Sequence, residues 1–289
     1  MLVTVGDLVE DVVVWMHGAI RAGTDTAATI QHRRGGSAAN VAAFAAAIGT
    51  RSRFVGRVGD DAAGLVLAEQ LAADGVEVRV QRAGRTGTIV VVVDEAGERS
   101  FLSDRGAAVD LADVADEWLD GVRWLHVPAY AVQAGTLGDT VCDLAAEAHG
   151  RGATVSVDAS SVAVLEARGL DAAQRWLAAM APHVLLANAE EAASLQLHDP
   201  TMRPHRAWTV VKRGAGSVLL YAPDSRDPVE VPVPVVRNVR DATGAGDAFA
   251  AGFIAARLAG GEPLDAASDG IALAQRVLGQ AGATLVDPQ

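Results

Sequence analysis

Asp241-Ala242-Thr243-Gly244-Ala245-Gly246-Asp247 is the stretch of this chain whose residue types and spacing could do chemistry. Two glycines and small side chains lead into a helix that carries a carboxylate in its first turn. Unsatisfied backbone N–H groups at a helix N-terminus, aided by the helix dipole, bind phosphate, and glycine lets an anion approach the backbone closely. A carboxylate one residue past the Gly246 amide then stands where a hydroxyl attacking a γ-phosphoryl group in that loop must lose its proton. The same residues also read as plain architecture, since an acidic side chain favours a helix start by about 0.3–1 kcal/mol and glycines make turns.

The elements that must position this loop follow from hydrophobic periodicity. Leu2-Val3-Thr4-Val5 is a buried strand ending at Gly6, and the Ala-rich run Ser37 to Ile48 is a helix that packs closely on a sheet. After it, strand and helix patterns alternate: strands Arg53–Val58, Trp124–Val127, Thr154–Val157, Val184–Ala187 and Ala207–Lys212, helices Ala62–Ala73 and Leu137–His149. That alternation predicts an α/β fold with a doubly wound, mostly parallel sheet. Val12–Trp15, Val76–Arg82 and the hairpin Thr88–Val93/Arg99–Leu102 break the rhythm and predict a small β-lid from about 12–34 and 76–104. Helices Gly244–Leu258 and Leu264–Leu278 close the chain, and with neither repeat nor Pro/Ser-rich linker, residues 1–289 read as one domain.

Composition removes several function classes. The chain has 289 residues, 50% of them hydrophobic, and a formal charge of -12, which opposes a nucleic-acid footprint of clustered Lys and Arg. Lys212 is its sole lysine and precedes Arg213, so the Lys-Ser/Thr of a Walker loop is absent. Seven histidines show no zinc-ligand spacing, and lone Cys142 reads as a small buried apolar residue on a helix. An acidic start and a longest aliphatic run of Ile89–Val93 predict no membrane span and a cytoplasmic protein. A small-molecule partner fits best.

A second motif, Gly35-Gly36-Ser37-Ala38-Ala39-Asn40, is followed by Gly56-Arg57-Val58-Gly59-Asp60-Asp61-Ala62-Ala63-Gly64. With the 241–247 loop, these segments resemble the PfkB, or ribokinase-like, carbohydrate kinase family, and the resemblance runs from Gly6–Asp11 to the last helix. It implies ATP-dependent phosphorylation of a hydroxyl of a small sugar or sugar derivative. Asp247 matches the family's base, and Gly244, Ala245 and Gly246 its anion hole. Asp11, Gly36 and Asn40 match groups that hold sugar hydroxyls. Asn188 and Glu191 match an Asn-x-x-Glu motif that organises Mg²⁺ through water, and Lys212, Gly214, Gly216 and Thr243 match the nucleotide side. Asp241 and Thr243, with a loop around 279–284, match a site for a monovalent cation such as K⁺. Arg105 either reaches a polar or anionic substrate group or is a surface residue, and the lid offers an edge for a homodimer.

The pattern also departs from the family. Ser37 and Ala38 stand where ribokinases have Lys and Gly, and Ala242 replaces a Thr. A nucleoside kinase on the same scaffold is the rival enzyme, with Trp15 and Phe101 as candidate base-stacking residues. A dinucleotide-binding protein would need Gly-x-Gly-x-x-Gly, which neither Gly244-Ala245-Gly246 nor Gly214-Ala215-Gly216 completes. An idle sugar sensor would have lost the base or the anion hole, and both are present.

Overall fold

In the computed structural model, which describes residues 1–132, 135–236, 239 and 241–278, short apolar runs line up in parallel. β1 (Leu2–Val5), β4 (Ser52–Val58), β5 (Glu77–Arg82), β8 (Trp124–Pro128), β9 (Thr154–Asp158), β10 (Val184–Asn188) and β11 (Trp208–Lys212) are the parallel strands. β12 (Val218–Tyr221) and β13 (Val229–Val231) extend them antiparallel. The order is β13-β12-β11-β10-β9-β8-β1-β4-β5.

Period-2 alternation explains why helices cover both faces. Val3, Val5, Leu125, Val127, Val155, Val157 and Leu185 join one core with α3 (Leu137–Gly150) and α5 (Leu170–Met180). Leu2, Trp124, Leu186 and Val210 join the other, with α1 (Ser37–Ala47), α7 (Ala245–Leu258) and α8 (Pro263–Leu278). Cys142 is half-buried on α3 against the first core, less enclosed than its apolar setting predicts. Small residues set the spacing of the second layer. A Cβ added at Gly252 of α7 would fall 2.8 Å from the Asp269 carbonyl of α8, so only glycine permits that approach.

The lid is a separate four-stranded sheet in the order β3-β2-β6-β7: β3 (Ala28–Gly35), β2 (Val9–Met16), β6 (Thr86–Val93) and β7 (Arg99–Gly106). β2 pairs with β6 in parallel, and both outer pairs are antiparallel. Residues 76–82 do not belong to it, contrary to the sequence expectation: β5 lies at the edge of the main sheet, parallel to β4 from Arg53↔Glu77 to Val58↔Arg82. The reason is α2 (Ala62–Ala73), which makes β4-α2-β5 a crossover unit and packs Leu67 and Leu71 beside Val76, Val78 and Val80. No helix among the described residues is long and apolar enough to cross a membrane.

Candidate active site

The C-terminal ends of the parallel strands face one cavity of about 1070 Å³, roofed by the lid. Strand ends in open α/β sheets leave such a crevice because the following loops diverge to opposite faces. β1 delivers Asp7, β9 ends at Asp158, β10 leads to Asn188 and β11 ends at Lys212. α7 begins at the same rim: Gly244 caps it at φ +79, a left-handed conformation suited to glycine, and no side chain caps the first turn.

Asp247 is the meeting point of α7 and α1. Ser37 Oγ donates to its Oδ1 at 2.6 Å and Asn40 Nδ2 to its Oδ2 at 2.9 Å, although these residues lie far apart in sequence. Gly36 makes this possible by leading into α1 at φ +106. A Cβ there would lie 2.1 Å from the Asp7 carbonyl oxygen. Asp11 lines the cavity on the lid side, as Gly36 and Asn40 do below it.

Lys212 Nζ donates to Asp158 Oδ2 at 2.6 Å, and a Cβ on Gly246 would stand 3.5 Å from that same ammonium. The lone lysine is therefore beside the Gly244–Asp247 loop without being part of a Walker motif. Glu191 is 4% exposed and bound in a capping box: Asn188 Oδ1 accepts from the Glu191 amide, Glu191 Oε2 accepts from the Asn188 amide, and Asn188 Nδ2 donates to Oε1.

The description "pfkB family carbohydrate kinase" matches residues 1–289. The chain belongs to the pfkB family of carbohydrate kinases. It is 32% identical over 254 residues to a protein named ATP-dependent ribose-1-phosphate kinase from Halopiger xanaduensis, covering 82% of this chain and 79% of that one. It is 33% identical over 261 residues to a Klebsiella pneumoniae fructokinase, covering 83% of each. In structure it is similar to adenosine kinase from Sinorhizobium meliloti, with a TM-score of 0.86, 23% identity and 98% and 94% of the two chains covered. An uncharacterized sugar kinase from Pyrococcus horikoshii in complex with ATP gives a TM-score of 0.83 at 22% identity, covering 98% and 94%. A pfkB carbohydrate kinase is a phosphotransferase with an alcohol group as acceptor.

The electrostatics of this kinase's cavity are set by burial and by three carboxylates around one ammonium. Burial raises Asp247 to about 6, with Asp158 adding to the rise while the Ser37 and Asn40 hydrogen bonds and Lys212 oppose it. Burial likewise lifts Glu191 to about 7, helped by Asp158 and opposed by Lys212. For Lys212, burial works against the charge, but Asp158, Glu191 and Asp247 outweigh it and hold the group above the usual lysine value. Asp11 is raised to about 6 by burial, against the pull of Arg34.

Most of the expected site residues converge here: Asp11, Gly36, Asn40, Arg105, Asn188, Glu191, Lys212, Gly214 and the Thr243–Asp247 loop all line the cavity. Gly216 and Asp241 do not. Gly216 closes the turn after Lys212 through a hydrogen bond from its amide to the Arg213 carbonyl. Arg105 is no surface residue. It is 8% exposed, pairs with Asp7 through two nitrogens and donates to the Tyr130 carbonyl at 2.5 Å. The side chain of Asp241, whose backbone neighbourhood is expected to hold a monovalent cation, accepts Arg99 Nη2 at 2.6 Å, and Arg99 Nη1 donates to the Thr243 hydroxyl. A guanidinium thus already neutralises that carboxylate, and the 279–284 loop lies outside the described residues.

Asp7, Ser37, Tyr130 and Asp158 also line the cavity and carry no site role in the sequence expectations. Asp158 could have been found as a carboxylate ending a parallel strand, and Asp7 likewise as the residue after Gly6.

Proposed function

We propose that this kinase transfers the terminal phosphoryl group of ATP to a hydroxyl of a small uncharged sugar, with Asp247 as the general base. The observation that carries this reading is the double position of Asp247: in the first turn of α7 beside Lys212, and simultaneously bonded to Ser37 and Asn40 of α1. With its carboxyl near 6, Asp247 is ionised about ten to one at pH 7, yet basic enough to take a proton. As the acceptor oxygen attacks phosphorus, its proton passes to Asp247. The Lys212 ammonium and the α7 N-terminus oppose the charge growing on the transferred group.

The nucleotide fits the cavity's other end. Val233, Val239, Ile271, Ala274 and Leu278 form an apolar wall suited to a base, and Gly214 and Gly246 leave room for a phosphate chain. Mg²⁺ supplies neutralisation of phosphate charge when it accompanies ATP. Asp158 and Glu191 are the cavity carboxylates that would hold its waters, which suits an ion that keeps much of its hydration. No cluster of three or more ligating side chains occurs among the described residues, so a cage built by protein alone is not part of this reading.

At the acceptor end, Asp11 and Asp247 are the carboxylates left after Arg105 neutralises Asp7, which favours polyols over anionic acceptors. Ile89 and exposed Phe101 of the lid also support a nucleoside acceptor, since an aromatic face can stack on a base. Exposed Ile30 and Leu102 on the two outer lid strands support a homodimer through the lid, which analytical ultracentrifugation tests.

The decisive experiment measures ATP consumption with Mg²⁺ over pentoses, hexoses, ribose 1-phosphate, keto-deoxy acids and nucleosides, for the parent and Asp247→Asn. Turnover with a neutral sugar, lost about 10²–10⁴-fold in the variant while ATP still binds, supports the proposal. Preference for ribose 1-phosphate refutes the uncharged acceptor, and undiminished turnover in Asp247→Asn refutes the base.

A further inference from the structure

Beneath the cavity, a polar chain runs from the protein surface to Asp247. Asp74, which caps the C-terminal end of α2 and is half-exposed, accepts Arg34 Nη2 at 3.2 Å. Arg34, at the end of lid strand β3, donates through Nη1 to Asn40 Oδ1 at 3.1 Å. Asn40, 7% exposed, donates through Nδ2 to Asp247. A guanidinium can only donate, so the amide atom facing it must be the carbonyl, and an ionised carboxylate can only accept, so the atom facing it must be the NH₂. Reversing the amide would set donor against donor and acceptor against acceptor at once. The chemistry of the two neighbours, not the packing of Asn40, therefore dictates which way the amide points.

We propose that Arg34 is a positioning residue for phosphoryl transfer: anchored on Asp74, its guanidinium locks the Asn40 amide so that it donates to the Asp247 carboxylate. The assignment deepens the reading of Asp247 as base and rests on it. It also links the lid to the chemistry, because β3 ends at Gly35 and only Gly36 separates it from α1. Among the described residues, the charged and titratable groups around Asp247 are Asp158 at the end of β9, Lys212 at the end of β11, Asp11 on β2, Tyr130 after β8 and Arg34 itself, with Glu191 on α6 (Ala189–Ser194) lining the same cavity. Among them, Arg34 is the one that touches Asn40.

The test titrates the Asp247 carboxyl directly, by infrared difference spectroscopy of the ligand-free protein between pH 4.5 and 8.5. Its band is identified as the one missing in Asp247→Asn. Arg34→Met and Asn40→Ala should each move the midpoint up by about one pH unit, and the double variant should move no further than Arg34→Met alone, because Arg34 also acts on Asp247 by direct charge. Arg34→Lys, which retains a donor and a charge, should restore most of the parent midpoint. The acid limb of kcat/KM, measured with ATP and whichever of D-fructose, D-ribose or adenosine turns over, should follow the same order. A parent-like midpoint in Arg34→Met, or additive shifts in the double variant, overturns the proposal. Should Arg34→Met not fold, Asp74→Ala releases the guanidinium from the half-exposed end and should give a smaller shift of the same sign, and no shift there also overturns it. Retained activity in Asp247→Asn would instead refute the base, leaving the infrared result to judge the positioning alone.

Discussion

Replacing Asp247 by Asn should make the protein more stable while stopping its chemistry. Asp247 is raised from an ordinary value of 3.8 to about 6, chiefly by burial. Two units at 1.36 kcal/mol each make the charged form cost the fold about 3 kcal/mol at pH 8. Asn removes that cost and also relieves Asp11, whose own rise has a contribution from Asp247. Against this, Asn keeps an acceptor for Ser37 but sets an amide against the Asn40 amide, a loss of about 1 kcal/mol. The net gain is about 1–2 kcal/mol, or about 2–6 °C in midpoint for a chain of this size. The pH dependence carries the sign. A carboxyl whose folded value is raised imposes its full cost above that value and loses it as pH falls toward the unfolded one. The gain should therefore be present at pH 8, shrink below 6 and be nearly gone at pH 4.5. Differential scanning calorimetry of both proteins across that range measures it. An Asn variant no more stable than the parent at pH 8, or a difference that ignores pH, would refute the reasoning.

Three further perturbations separate architecture from chemistry. Gly246→Ala should fold normally, since its added Cβ meets nothing closer than Lys212 Nζ at 3.5 Å, yet weaken ATP binding at least tenfold by calorimetric titration, because that methyl occupies the phosphate approach. Gly36→Ala should cost at least about 2 kcal/mol in denaturant unfolding, from its positive φ and its clash with the Asp7 carbonyl. Lys212→Met leaves Asp158, Glu191 and Asp247 without their shared ammonium and should cost about 3–5 kcal/mol at pH 8 by the same measurement. Lys212→Met with Asp158→Asn should recover part of that loss.

What the sequence disclosed and what it hid differ by range. That a helix starts in the 241–247 loop is legible because glycines and small residues stand together ahead of an apolar run, with Asp247 in the first turn. The parallel strands were readable because each is a short apolar run with alternate residues committed to opposite cores. β5 reads in sequence as a lid strand because Val78 and Val80 alternate just as one would, and alternation reports a buried face without saying which partner covers it. In sequence Ser37 is only a departure from a motif, since its bond to Asp247 exists once α1 packs on α7. Arg105 and Arg99 look alike in sequence, yet one is fixed on Asp7 and the other on Asp241, and only the lid's register decides which carboxylate each meets.

The lid's strand order has a consequence for how the chain comes together. β2 and β3 can form a hairpin early, but the parallel partner of β2 is β6, which emerges only after α1, β4, α2 and β5 have been made. Parallel pairing across a long intervening segment carries a loop-closure cost that local hairpins avoid. On a ribosome the first half of the lid must wait with the flank of β2, Val12 to Trp15, unpaired, a row of backbone donors and acceptors open to any other strand. Nascent chains stopped short of residue 86 should be the ones that chaperones hold and that aggregate, whereas those extended past Gly106 can seal the sheet.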